Sequence, residues 1–340
     1  MRVGFGVAIA ALTLTAAGAS ADELFLKNGS LLVGTLVSAE ADVVRFDTPF
    51  AGTIDVKEEN IQRVVTESGV TIMLEDGRVL RDRQINAGSG HLIASGDGEP
   101  NVLFQTGEID MINPEPWKLG EGYEWTGEAS VALETERGNS DTDEWDITAK
   151  TSWRSIVDRY RVGFTQEIDK NEGDKTSDNW NARLNYDRFF KSNPDNYWGV
   201  RTWFEYDRFQ DLDLRTTVGP YLGRQFLKKP ILSIQGELGP VWVDEQFDVA
   251  EDDDYPGALW DFQATSDILG FGTTLYVRHD GIVNFDSPDD LILNTRFGIR
   301  MPVIYGFQTA IEGLWEYDGG AVGDVDDLDE TYNFRIGYTW

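Results

Sequence analysis

Tyr332-Asn-Phe-Arg-Ile-Gly-Tyr-Thr-Trp340 ends the sequence. Tyr332, Phe334, Ile336, Tyr338 and Trp340 alternate with polar or small residues, a period of two that reads as a β-strand with one apolar face. A soluble chain has little reason to spend five large apolar side chains on one face of a fraying terminus. A transmembrane barrel has two reasons: the face lies against lipid, and the strand closes the sheet so that no edge stays open. The stretch therefore predicts a membrane-spanning barrel, and the rest of the chain has to agree with it.

The opening residues agree. Met1-Arg2 precedes an apolar run from Val3 to Leu14, and Ala19-Ser20-Ala21 stands before Asp22-Glu23. This is the order of a secretory signal peptide over residues 1–21, with export and a mature chain starting near Asp22. The run is too short to cross a bilayer as a helix, and no later stretch is long enough. The sequence has no cysteine, which excludes an anchor through a lipidated cysteine and any disulfide.

Composition narrows the partners. Among 340 residues, 60 are acidic and 29 basic, a formal charge of −31 that argues against nucleic acid. The acids gather in Glu251 to Asp254, Asp286 to Asp290 and Asp324 to Glu330, which fall between the strands read below. Such runs serve as solvated faces, or collect divalent cations near lipopolysaccharide. No phosphate loop, metal-ligand cluster or nucleotide fingerprint occurs, so no cofactor is expected.

Residues 22–113 carry an internal duplication, with copies at 22–66 and 70–113. Leu24-Phe-Leu-Lys-Asn-Gly29 matches Ile72-Met-Leu-Glu-Asp-Gly77, and Asn60-Ile-Gln-Arg-Val64 matches Glu108-Ile-Asp-Met-Ile112, at one constant offset. Asn-Gly and Asp-Gly between apolar runs predict hairpins. Each copy reads as a small meander resembling an Sm-like or SH3-like barrel. One copy would bury little core, so the two are expected to pack on each other. His91 has no companion that would make it a ligand or a base. Residues 114–121, with Pro114, Pro116 and Gly120, read as a linker.

From residue 122 to 340, segments of alternating hydropathy are separated by turns and longer polar loops, and they count to about twelve antiparallel strands. The fold class is thus all-β: a small duplicated β domain, then a transmembrane barrel. An even count returns both barrel ends to one side, the periplasm, where the duplicated domain is expected. Trp125, Trp153, Trp198 and Trp340 fall at that side, while Trp145, Trp180, Trp242, Trp260 and Trp315 fall at the other, as two aromatic girdles. Trp203 lands inward, and Pro220 sits mid-strand, where a bulge is expected. The inward side is charged: Arg159, Arg161, Arg183, Arg201, Arg215, Arg296, Arg300 and Arg335 alternate into it with Glu128, Glu205, Glu237 and Glu312. Charges of both signs either line a narrow wet conduit or pair across the lumen and close it.

Leu133-Glu-Thr-Glu-Arg-Gly-Asn-Ser-Asp141 followed by Trp145-Asp-Ile-Thr-Ala-Lys150 resembles the opening hairpin of the DUF481 family, sharpest at Arg137-Gly-Asn-Ser140. The resemblance covers roughly the barrel. It implies an outer-membrane barrel without an established activity, in a family whose best-known member is described as salt-induced. The duplicated domain departs from a barrel-only pattern. The terminal strand is similar to those by which bacterial outer-membrane proteins are recognised for insertion, which implies the barrel-assembly machinery as a partner alongside outer-membrane lipids, with a further periplasmic partner open. The rival reading is an outer-membrane hydrolase, since the phospholipase barrel is of similar size. Here, however, His279, Asp280, Asn284 and Ser287 read as scattered along a loop, which does not make a triad. The expected function is a stress- or salt-related outer-membrane protein that is not an enzyme. It is either a narrow solute channel or a structural or binding barrel with an occluded lumen.

Overall fold

The structure, a computed structural model, describes residues 21–96, 98–136, 142–171, 173–229, 231–320 and 327–340. The expected signal peptide, the Arg137 to Ser140 motif and the first part of the Asp324 to Glu330 run lie outside the described residues. The chain forms two compact units, residues 1–115 and 116–340.

In the first unit each copy supplies five strands. They are β1 (Asp22–Leu26), β2 (Leu31–Glu40), β3 (Val43–Thr48), β4 (Gly52–Lys57) and β5 (Ile61–Val65), then β6 (Val70–Leu74), β7 (Val79–Gly88), β8 (His91–Gly96), β9 (Glu99–Gln105) and β10 (Ile109–Ile112). Gly29 and Gly77 take φ of 87° and 83° in the β1–β2 and β6–β7 turns, which only a residue without Cβ adopts cheaply. The copies do not form two separate barrels that pack together. Within each copy the first and last strands pair, β1 with β5 and β6 with β10, and the remaining edges cross over: β5 pairs β7, and β10 pairs β2. With β1–β2 and β6–β7, these pairings close one six-stranded circuit. A single core fills it, with Leu24, Leu36 and Phe46 of one copy beside Ile72, Ile85 and Leu92 of the other. The exchange follows from size, since one copy alone leaves two edges unpaired and too little apolar area to bury. Asp22, read from the sequence as the start of the mature chain, is buried. Its carboxylate accepts the N–H of Leu36 at 2.7 Å and of Glu67 at 3.0 Å, tying β1 to β2 and to the segment joining the copies.

The second unit begins with a 3-10 turn, Pro116–Leu119, and continues as twelve strands. These are β11 (Glu124–Glu136), β12 (Thr142–Arg154), β13 (Asp158–Asn171), β14 (Asp174–Phe190), β15 (Asn193–Asp207), β16 (Leu212–Lys229), β17 (Leu232–Phe247), β18 (Asp253–Ser266), β19 (Thr274–Asn284), β20 (Leu291–Ile304), β21 (Phe307–Asp318) and β22 (Leu328–Thr339). Each pairs antiparallel with the next, and β22 closes the barrel on β11 in the register Glu128↔Thr339 to Val131↔Ile336. Trp340 continues the seam, exchanging backbone bonds with Gly127 at 3.1 Å each way while its ring lies over that glycine and against Trp125, 5.7 Å between centroids. The terminal strand read first from the sequence is thus the closing strand, and Tyr332, Phe334, Ile336, Tyr338 and Trp340 are all exposed on the outer face.

Three details differ from the sequence reading. His279 and Asp280, expected in a loop, are in the middle of β19 on opposite faces; a polar pair lowers the apparent hydropathy of a real strand. Trp260 is not in the outer girdle but near the middle of β18, paired with Leu238 and Gly281. Pro220 brings no bulge. The β16–β17 register is the same at Val218↔Trp242 and Leu222↔Leu238, which places Pro220 opposite Pro240, and the shifts fall instead at Leu212/Leu214 and Gln225/Leu227. Two prolines at one pair remove two ladder bonds at a single point rather than one bond at two points. Gly219 and Gly239 beside them let the proline carbonyls approach where a Cβ would sit at 2.1 Å.

Candidate functional site

Alternation sends the even-numbered apolar residues of β13 to β18 outward and their odd-numbered neighbours into the lumen. All the arginines and glutamates expected inside are there, and the pairing that joins them links distant strands. Among the described residues, three ion pairs join strands four or five apart across the lumen. Arg215 of β16 meets Asp318 of β21 at 2.8 Å, Arg183 of β14 meets Asp280 of β19 at 3.1 Å, and Arg161 of β13 meets Glu237 of β17 at 2.6 Å. Arg215 also binds Glu245 at 2.5 Å and stands 3.6 Å from Glu205.

Glu237 is a hub. Its carboxylate accepts from Arg161 at 2.6 Å, Arg201 at 2.8 Å and the Tyr197 hydroxyl at 2.8 Å. Arg159 and Arg161 converge on the fully buried Asp187 at 2.6 and 3.0 Å, and the Tyr221 hydroxyl donates to the same carboxylate. Tyr197 and Tyr221 reach these positions because each ring lies over a glycine of the neighbouring strand, Gly223 and Gly199 respectively. On the far side of the barrel Glu128 accepts from Lys150 at 3.2 Å and Arg300 at 2.7 Å. Glu312 accepts from Arg335 at 3.0 Å and Tyr276 at 2.8 Å, with Arg296 at 3.7 Å, and Arg335 also clamps Asp146. Two carboxylates that hold this network together, Asp187 and Asp280, are not among the inward charges read from the sequence. Asp187 was available from the alternation next to Tyr186; Asp280 was lost with the misplaced loop.

The lumen is not uniform. Toward β15 to β20 an apolar cluster of Trp203, Val241, Val243, Tyr255, Leu259, Ile282 and Ile292 fills it. This accounts for the inward Trp203, whose ring packs in the cluster and carries the Arg183 guanidinium 4.0 Å from its centroid. Toward β11 to β14 and β19 to β21 a polar cavity of about 400 Å3 remains, with Arg183, Asn185, Asp280 and Asn294 in its wall. A second recess beside Glu128 and Arg335 is only about 20 Å3. Among the described residues no group of three or more His, Asp or Glu side chains is arranged to hold a metal ion. His279 lies on the outer face, its Nδ1 2.9 Å from Thr295 Oγ1, and Asp280 is on the luminal side of the same strand, so the two do not form a catalytic pair. His91 sits exposed at the start of β8 with Nδ1 3.1 Å from the Ser89 carbonyl.

A closed antiparallel barrel with tyrosine, tryptophan, leucine and phenylalanine exposed around its outside and paired charges inside belongs to the class of membrane-spanning β-barrels. The chain belongs to the DUF481 family, described as a protein of unknown function, whose family model matches residues 129–340. Among curated protein sequences none matches. Similar solved structures include the NanC porin at 14% identity, covering 64% of this chain and 98% of that one with a TM-score of 0.37. They also include the translocator domain of the autotransporter NalP from Neisseria meningitidis, at 8% identity over 65% and 88% with a TM-score of 0.35. The outer-membrane channel DcaP of Acinetobacter baumannii is similar at 8% identity over 94% of both chains, with a TM-score of 0.30.

Proposed function

We propose that this protein is an exported outer-membrane barrel whose lumen is a closed, polar binding chamber and not an open pore. Its duplicated unit stands in the periplasm, and the outward residues of β22 serve as the signal read by the barrel-assembly machinery. The observation that carries the reading is the set of cross-lumen ion pairs at Arg215–Asp318, Arg183–Asp280 and Arg161–Glu237, joined by the apolar cluster around Trp203. A diffusion pore keeps such groups solvated along its walls, whereas here they bridge the bore. Neither an enzymatic step nor a cofactor belongs to this reading. A role under salt stress rests on the family resemblance alone.

Refolded protein in a planar bilayer should be electrically silent, and removing both partners of two bridges, Arg215→Ala with Asp318→Ala and Arg183→Ala with Asp280→Ala, should open a leak. A steady conductance from the unaltered protein would overturn the closed reading. It would favour the narrow conduit that the cavity of about 400 Å3 also supports. In that case neutralising Arg159, Arg183, Arg201, Arg296 and Arg300 leaves conductance intact and shifts preference toward cations. Orientation has its own test. The loop of residues 248–252 joins β17 to β18 at the rim opposite the closing Trp340, so Glu251→Cys should react with an impermeant maleimide in intact cells. Reaction only after the outer membrane is broken would invert the barrel.

A further inference from the structure

The luminal cavity is lined by carboxylates at one end and by an excess of cations at the other. Glu205 and Glu316 line it two residues from the ends of β15 (Asp207) and β21 (Asp318), at the rim of the long loops. Lys150, Arg161 and Arg278 line it close to the opposite ends of β12, β13 and β19 (Arg154, Asp158 and Thr274), where Glu128 lines it too and pairs with Lys150 at 3.2 Å, and Arg296 stands between. Glu316 has no hydrogen bond or ion pair among the described residues although it faces this space, and Arg296 has only the 3.7 Å approach of Glu312. A carboxylate without an ion-pair partner on β21 and an under-satisfied guanidinium on the neighbouring β20, where Asn294 stands opposite Glu316 in register and Arg296 two residues further along, make a two-signed surface in this wall. The inward Gly163 keeps the space open: a Cβ there would meet nothing nearer than Lys150 Cγ at 3.8 Å. A cavity of about 400 Å3 is within the range of roughly 300–1,000 Å3 of small-molecule sites.

We propose that this cavity binds a small zwitterion of amino-acid size, its ammonium toward Glu316 and Glu205 and its carboxylate toward Arg296 and the cations below. This deepens the chamber reading and rests on it. A purely anionic solute would meet Glu316 and Glu205 on the way in, and a purely cationic one would meet the Lys150, Arg161 and Arg278 end. Only a molecule carrying both signs satisfies both ends, and charge-assisted hydrogen bonds at each end add to affinity.

Calorimetric titration of refolded full-length protein with L-glutamine, gluconate and putrescine tests it. L-glutamine should bind, and the other two should bind roughly tenfold more weakly or worse, as loss of one charged hydrogen bond implies. Gly163→Leu fills the cavity without touching a charge and should abolish binding. Glu316→Gln should weaken L-glutamine by about tenfold and leave gluconate unchanged. Should Gly163→Leu fail to refold, Glu316→Gln carries the test alone. Gluconate binding as tightly as L-glutamine, putrescine binding better than either, or no heat from any of the three would overturn the proposal. The closed-chamber reading is judged by conductance instead, so a conducting barrel that still binds L-glutamine would fail the one and keep the other.

Discussion

Replacing Glu237 by alanine should lower the stability of the refolded barrel by about 3–5 kcal/mol, read from urea unfolding in micelles or bilayers. Glu237 is almost wholly buried in the lumen, and the Arg201 side chain beside it is 1% exposed. Without the carboxylate, Arg201 keeps a positive charge in a poorly solvated place with no other ion-pair partner within 4 Å among the described residues, and Arg161 loses one of its two. The cost lies in the stranded charge and not in the lost attraction, since a buried pair roughly offsets its own desolvation. It follows that Arg201→Ala added to Glu237→Ala should cost much less than the sum of the two single changes. A loss below about 1 kcal/mol for Glu237→Ala would place the carboxylate in solvent, with the value of a surface pair, and would undo the occluded lumen.

Phe297→Arg should impair membrane insertion and cost about 2–4 kcal/mol if its level is the bilayer midplane. Phe297 stands near the middle of β20 on the outer face, packed over Gly313 with its centroid 4.9 Å from that of Trp315. Arginine there puts a charge against hydrocarbon and removes that contact. Asn294→Arg, three residues earlier on the same strand, should be tolerated. Asn294 faces the cavity and donates to Asp280 at 3.1 Å, where a cation finds a carboxylate and room. Equal refolding yields for the two variants would mean that both faces of β20 meet water, which a membrane-spanning barrel does not allow.

The reach and limits of the sequence are clearest on β19 and β22. The Tyr332 to Trp340 stretch alternates cleanly, so its strand and its faces were legible. On β19, Arg278-His279-Asp280 interrupts the apolar face with a histidine, so the alternation breaks there although the strand runs on to Asn284. The lumen charges named from alternation all lie inside, because inward or outward is a parity that each strand carries by itself. Pro220 shows the opposite case. Its neighbour Pro240 comes from the next strand, and nothing along β16 tells that the two face each other. The duplicated unit is similar: matching segments announce two copies, yet not that β5 and β10 pair with the other copy's second strand.

What the sequence by itself determined is therefore local and periodic: an all-β chain, a barrel strand count near twelve, a duplicated first unit, and which side chains of each strand point in. What only the tertiary structure decided is who meets whom across space. Arg161 finds Glu237, and Arg183 finds Asp280, because closure of the β22–β11 seam and the stagger between strands set opposite walls at matching heights. Closure is a property of the whole ring, and a period of two along one strand holds no information about it. The division of the lumen into an apolar fill and a charged cavity depends on that closure, and so does every functional proposal built on it.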